Sequence, residues 1–259
     1  MASCGIPTII CGFLGKSFSG EIFRSLAKRK GIETEYFTEI QGECGFTIYL
    51  TPMEKLSRKG PIISAEERER FLLQFEKLIA RTNFQNPPLI LLSGSIPRSE
   101  DNKSEYLYSQ LIEIVRRRQS ETGKKFKIWI DAKEKFLLHA INTQPCPPDY
   151  VKINLEEFLG LLRHFRECPR EEKKENEESL ALLAKHLIDR KGIGAITITM
   201  GKLGALQVQR DRQEATFVKS IRPKRRFYSA GLGDTLLAVQ AIGEVTNSER
   251  LKSLEYGVA

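Results

Sequence analysis

Apolar residues along the chain fall alternately into short unbroken runs and into stripes that recur every three or four positions, the signatures of buried strands and of one-faced helices. Strand and helix are therefore expected to alternate. Ile6 to Cys11 reads as a strand ending in Gly12-Phe13-Leu14-Gly15, and Ser19 to Arg29 reads as a helix stopped near Gly31. Tyr36 to Ile40 and Phe46 to Leu50 flank the turn-forming Gln41-Gly42-Glu43-Cys44-Gly45, which predicts a hairpin or small flap sheet. Ser64-Ala65-Glu66-Glu67 has the spacing of a capping box, and Phe71, Leu72, Phe75, Leu78 and Ile79 follow it on one helical face.

Leu89-Ile90-Leu91-Leu92 is wholly apolar, as strands buried on both faces are, and it runs into Ser93-Gly94-Ser95-Ile96-Pro97. Leu107, Leu111, Ile114 and Val115 mark a helix, after which Ile128-Trp129-Ile130 closes on Asp131. This strand-helix-strand unit predicts a parallel sheet, whose ligands bind outside the carboxyl ends of the strands. Ser93 and Asp131 fall at such ends. Val151-Lys152-Ile153-Asn154 leads into a helix carrying Phe158, Leu159 and Leu162, and Asn154 with Glu157 has the spacing of a second capping box. Glu171 to Glu178 is a solvated charge run, followed by a helix bearing Leu180, Leu183, Leu187 and Ile188. Ile196 to Met200 is a strand that meets the turn Gly201-Lys202-Leu203-Gly204, with extended segments at Ala205 to Val208 and Thr216 to Ser220 beyond it.

Candidate chemistry gathers near the carboxyl terminus, in Ser229-Ala230-Gly231-Leu232-Gly233-Asp234-Thr235 ahead of the apolar run Leu236, Leu237, Ala238, Val239, Ala241 and Ile242. Gly231 and Gly233 let the backbone turn tightly and approach a ligand, so that N–H groups of a first helical turn can face an anion. Asp234 then sits among those donors as a base. Read without a ligand, the same segment is a glycine-rich turn with Asp234 capping the helix.

Composition narrows the partners. The 259 residues carry a net charge of +8, with 41% hydrophobic and 29% charged residues, and no apolar run approaches the roughly 20 residues that span a bilayer. No signal peptide is visible, and the five cysteines, widely spaced and without a CxxC pair, predict reduced thiols in a cytoplasmic protein with no membrane partner. The basic run Arg222-Pro223-Lys224-Arg225-Arg226 lacks interleaved aromatic platforms and reads as a solvated connection, so no nucleic-acid partner is expected. A basic surface suits phosphorylated metabolites equally well.

The ordered loops Gly12-Phe13-Leu14-Gly15, Ser93-Gly94-Ser95-Ile96-Pro97, Lys152-Ile153-Asn154-Leu155-Glu156-Glu157, Thr199-Met200-Gly201-Lys202-Leu203-Gly204 and Gly231 to Thr235 together resemble the ribokinase-like, phosphofructokinase-B type carbohydrate kinases. The likeness spans nearly the whole chain and is greatest to the 1-phosphofructokinase and tagatose-6-phosphate kinase branch. It implies an α/β fold, a doubly wound, mostly parallel sheet flanked by helices, with a small β lid contributed by about residues 33–52 of a single domain over 1–259. It implies ATP-dependent phosphorylation of a hydroxymethyl group of fructose 1-phosphate or tagatose 6-phosphate. Asp234 would be the general base, and Gly231, Leu232 and Gly233 the anion hole. Thr199, Gly201, Gly204, Lys152, Asn154 and Glu157 would serve ATP, with Mg²⁺ near Asn154 and Glu157 through water. Gly12, Gly15, Ser93 and Gly94 would line the sugar-phosphate side, and two copies would form a homodimer through the lid.

Departures from that pattern are as informative. The family's acidic first strand and Gly-Gly-Lys-Gly-x-Asn segment have no counterpart, and only 16 residues follow Gly243, so the domain is expected to be shortened at both ends. Gly45 and Thr47 stand where an arginine and an asparagine are usual, Ile153 replaces a proline, and Tyr228 replaces a small polar residue. The alternative reading is a catalytically impaired fragment or pseudokinase that binds nucleotide or a protein partner.

Overall fold

A six-stranded sheet supplies the platform on which the loops named above converge. The computed structural model describes residues 4–49, 55–81, 88–143, 146–165, 176–220 and 231–246. The amino-terminal elements are β1 (Gly12–Gly15), α1 (Phe18–Arg29), β2 (Phe37–Ile40), β3 (Phe46–Tyr49), β4 (Lys55–Arg58) and α2 (Ala65–Arg81). β5 (Leu89–Ser93), α3 (Leu107–Thr122), β6 (Lys127–Asp131), α4 (Glu134–Ile141), β7 (Tyr150–Asn154) and α5 (Leu155–His164) follow. The chain continues through α6 (Glu177–Lys191), β8 (Ala195–Thr199), β9 (Gly204–Gln209), β10 (Thr216–Lys219) and α7 (Leu232–Val245). The large sheet runs in the order β10-β9-β8-β7-β6-β5, with β5 to β8 parallel and β9 and β10 antiparallel at one edge.

Its two faces differ because side chains alternate along every strand. Ile90, Leu92, Ile128, Ile130, Val151, Ile153, Ile196, Ile198, Leu206 and Val208 face a core closed by apolar residues of α2 to α6. Burying one such Leu or Ile contributes roughly 1.5–3 kcal/mol, so this face carries most of the hydrophobic stabilisation. The other face presents Trp129, Tyr150 and Ala195 to Leu237 and Ala241 of α7, and Ala205 to Leu236. Helices on both sides of a mostly parallel sheet are the doubly wound arrangement expected from the sequence.

The start of the chain departs from the sequence expectation in two ways. Gly12 to Gly15 is itself a strand, β1, paired in parallel with β2, while Ile9 makes only an isolated bridge to Glu33. The reason is steric. A Cβ on Gly15 would lie 2.3 Å from the Gly42 carbonyl oxygen, and one on Gly20 would lie 2.1 Å from the Gly15 oxygen, so these glycines admit neighbouring backbone. Of the hairpin or small flap sheet expected over 36–50, a small two-stranded sheet forms, but the segments at 36–40 and 46–49 are not paired with each other. β2 pairs with β1, where Leu14 and Ile40 are buried, and β3 pairs antiparallel with β4. Long-range burial chose the partner, not the intervening turn.

Glu67 explains how this excursion is anchored. The Ser64 box forms as the sequence predicts, with the Glu67 N–H donating to Ser64 Oγ at 3.1 Å and the Ser64 N–H donating to Glu67 Oε2 at 2.9 Å. The other carboxylate oxygen accepts the Gln41 N–H at 2.9 Å, so one buried side chain ties both stems of the β3–β4 segment to α2. The basic run at 222–226, Cys168 and Tyr228 lie outside the described residues, as do Ser229 and Ala230. Among the described residues, no helix is long and apolar enough to cross a membrane.

Candidate functional site

Strand register sets the first layer of the site. Ser93, Asp131, Lys152 and Thr197 stand opposite one another across β5, β6, β7 and β8, and Asn154 faces Thr199 one step further toward the carboxyl ends. In a parallel sheet, residues in such a row share a face. This row lies on the face that α7 covers.

Lys152 is buried there, and its Nζ donates to Asp131 Oδ2 at 2.6 Å. The same ammonium lies under the first turn of α7, because a Cβ built on Gly233 would meet Lys152 Nζ at 3.0 Å. Two positive features therefore converge, the lysine and the partial charge of a helix N-terminus. The N-cap is Gly231, at φ +83°, which has no side chain to accept from the N–H groups of Leu232, Gly233 and Asp234. Helix geometry leaves those groups without intrahelical acceptors. Gly231 closes the turn through its carbonyl, which accepts from the Thr235 N–H at 2.8 Å and from Thr235 Oγ1 at 2.9 Å. Asp234 is exposed in this turn, so its carboxylate is accessible to a substrate hydroxyl.

A polar brace holds α7 against the sheet. Tyr150, stacked on Trp129 at a centroid distance of 4.2 Å, donates its hydroxyl to Gln240 Oε1 at 2.5 Å. Burial pushes the Tyr150 hydroxyl far above its ordinary range, which keeps it a donor. Thr197, Gln207 and Gln209 extend the polar layer, with Gln207 Nε2 donating to Thr197 Oγ1 at 3.1 Å and Gln209 Nε2 to Gln207 Oε1 at 2.9 Å.

Asn154 and Glu157 form a reciprocal capping box on α5. The Glu157 N–H donates to Asn154 Oδ1 at 2.9 Å and the Asn154 N–H donates to Glu157 Oε2 at 3.2 Å. Both side chains thus have a local structural task. One carboxylate beside one amide oxygen, with no group of three acidic or imidazole side chains among the described residues, is no cage for a metal. It fits a Mg²⁺ ion that keeps its waters and leans on ligand phosphates.

The two glycines of the next turn separate into different roles. Gly204, at φ +125°, has the Val218 carbonyl oxygen 2.0 Å from where a Cβ would be, so close packing of β9 on β10 demands it. Gly201, at φ +55° and exposed, has nothing within 4 Å, leaving open backbone at the sheet's carboxyl edge beside Thr199. Thr199 Oγ1 donates to the Ile153 carbonyl at 3.4 Å. Ser93 ends β5 exposed, and Gly94 at φ +98° offers its carbonyl to the Tyr108 hydroxyl at 3.0 Å. Burial first, then the negative charge of Asp131, pushes that phenol well above its usual range. Gly12 and Gly15 belong to the separate β1–β2 pair, where Gly15 N–H donates to Cys44 Sγ at 3.2 Å.

The structure therefore unites Lys152 with Gly233, brings Asn154 and Thr199 into the adjoining row with Glu157 capped onto Asn154, and adds Asp131. Sequence reasoning places Asp131 at a strand end without giving it a partner. The only signal for the pairing is that Asp131 and Lys152 are polar residues set within the apolar segments of two consecutive parallel strands, which the register brings opposite each other.

Comparison with known proteins decides the lineage. The pattern of the pfkB family carbohydrate kinases matches residues 1–259. The chain belongs to this family. A 1-phosphofructokinase from Bacillus subtilis (strain 168) is a pfkB relative 25% identical over 232 residues, covering 88% of this chain and 65% of that protein. The chain thus spans less than two thirds of that relative's length. Among solved structures, phosphofructokinase-2 from Escherichia coli in complex with substrates and products superposes with a TM-score of 0.73 at 16% identity, covering 99% of this chain and 76% of the other. A ribokinase from Thermotoga maritima superposes with a TM-score of 0.63 at 12% identity, over 99% and 74% of the two chains. These likenesses establish the ribokinase-like fold of this pfkB member.

Proposed function

We propose that this pfkB chain transfers the γ-phosphoryl group of ATP to a hydroxymethyl group of a ketohexose phosphate. Fructose 1-phosphate is the first candidate, supported by the name of the Bacillus subtilis relative, and tagatose 6-phosphate the second. The single observation carrying the reading is the first turn of α7, where exposed Asp234 adjoins a glycine that lies against the buried Lys152 ammonium. The substrate oxygen attacks the γ-phosphorus and loses its proton to Asp234 as the bond to the β,γ-bridging oxygen breaks and ADP departs. The N–H groups of Leu232, Gly233 and Asp234, with Lys152, receive the charge that spreads over the transferring oxygens. Mg²⁺ held through water by Asn154 and Glu157 would supply charge neutralisation between the two polyanions.

Gly201 and Thr199 serve the nucleotide side, with Gly204 shaping their turn, while Ser93, Gly94, Gly12 and Gly15 serve the sugar side. The described cysteines, all free, suit the reducing cytoplasm in which such metabolites are handled. The β3–β4 pair is the lid, and through it a homodimer forms, to be checked by light scattering.

Asp234→Asn is expected to reduce kcat by about 10²–10⁴-fold while MgATP affinity stays near the parental value. A coupled ADP-release assay with each sugar phosphate measures it. Equal turnover by the variant sinks the assignment. A second reading, a nucleotide-binding protein without turnover, draws on Gly45. A Cβ there would lie 2.7 Å from Gly60 N, so an arginine is sterically barred from the position where relatives of this type were expected to carry phosphate-binding charge. MgATP binding with no consumption across a panel of phosphosugars would favour it.

A further inference from the structure

Asp131 stands partly buried on the same row as the buried Lys152, yet the reaction above gives it no task. A lysine side chain has four rotatable bonds, and its ammonium is costly to hold out of water unless it is paired. Asp131 answers both costs. β6 and β7 fix the two Cα atoms directly opposite each other, and the 2.6 Å hydrogen bond sets where Nζ points, namely against Gly233 at the start of α7. A carboxylate placed beside an anion-receiving turn is electrostatically adverse to an anion unless it serves the cation there. We propose that Asp131 is a positioning residue, holding the Lys152 ammonium beneath the first turn of α7 so that lysine and helix N-terminus together grip the terminal phosphate of a bound nucleoside triphosphate.

This inference rests on the phosphoryl-transfer reading of the site, and its test separates the two. A merely structural ion pair would tolerate removal of both charges without consequence for ligand, since buried pairs often contribute little net stability. A positioning pair would not. The informative quantity is the preference for MgATP over MgADP, measured by titration calorimetry on the full chain, together with kcat and the sugar-phosphate KM.

Asp131→Asn and Lys152→Met are each expected to lower the ATP-over-ADP preference and kcat by about tenfold or more, with the sugar-phosphate KM changed less than about threefold. The double variant is expected to be no worse than Lys152→Met alone, because Asp131 acts only through the lysine. Asp131→Glu should recover part of the lost preference. If Asp131→Asn fails to fold for want of a partner to Lys152, the double variant, which removes both charges, still carries the comparison. Losses that multiply in the double variant overturn the inference by showing that Asp131 acts independently. So does an Asp131→Asn protein with parental preference and kcat, or a parental chain that binds both nucleotides equally. A parental chain that prefers MgATP but transfers nothing overturns the proposed function alone, and the positioning role is then decided by the nucleotide preference.

Discussion

Glycines in this chain are of two kinds, and the distinction decides which of them can be chemical. Gly204 is required by packing, since its φ of +125° and the Val218 oxygen 2.0 Å from a built Cβ leave no room for a side chain. Gly204→Ala is expected to cost about 2–5 kcal/mol of stability, from backbone strain together with overpacking. Gly201 sits in open space at φ +55°, so Gly201→Ala should cost only about 1–2 kcal/mol. Thermal melts compare the two. If the open backbone of Gly201 passes beneath nucleotide phosphates, its variant should raise the KM for ATP at least about threefold despite the smaller loss of stability, a change of at least about 0.7 kcal/mol in binding. An unchanged KM would return Gly201 to the role of a plain turn residue.

Elements defined by local chemistry are legible in the amino-acid sequence, and those defined by distant partners are not. Both capping boxes form at the residues whose spacing announces them, because the hydrogen bonds that make a box lie within four residues of each other. The parallel strands at 89–93 and 127–131 announce themselves by the unbroken apolar runs Leu89 to Leu92 and Ile128 to Ile130. The partner of β2 does not, since the choice between a hairpin and pairing with β1 depends on burial that no local window contains. α4 is too short to show a stripe of its own, being only eight residues long. Within the site, the Gly231 turn and the Asn154 box are readable, while the Asp131–Lys152 contact requires knowing that β6 and β7 are neighbours. The Asn154 box also offers a clean separation of roles. Asn154→Ala should cost about 1 kcal/mol through the lost cap, whereas Asn154→Asp keeps a cap of equal strength and should melt within about 0.5 kcal/mol of the parent. If Asn154 also leans on a hydrated Mg²⁺, the aspartate variant should shift the Mg²⁺ concentration giving half-maximal turnover, and an unchanged Mg²⁺ profile would leave the residue a cap alone.

At the scale of the whole molecule, the apolar core and the polar row are assigned to opposite faces of one sheet. The face toward α2 to α6 is apolar, while the face toward α7 carries the polar row from Asp131 to Gln207. Thiol accessibility reports the integrity of the fold independently of activity. Cys4 and Cys146 are exposed, and burial pushes the Cys11 thiol up to about 11. A raised thiol pKa means less thiolate at neutral pH, so mass spectrometry after brief iodoacetamide treatment should find Cys4 and Cys146 modified well before Cys11, a difference that denaturant should erase. Early modification of Cys11 in the folded protein would contradict the packing of the amino-terminal strands. The double tie made by Glu67 has a consequence of a different order. Because Gln41 and Ser64 are fastened to the two oxygens of one carboxylate, the span between them closes a loop whose ends are already fixed, and closure entropy grows only slowly with length. That span behaves as an interchangeable cassette, open to being lengthened, trimmed or rewritten by evolution, or by grafting from a relative, while the six-stranded sheet folds undisturbed.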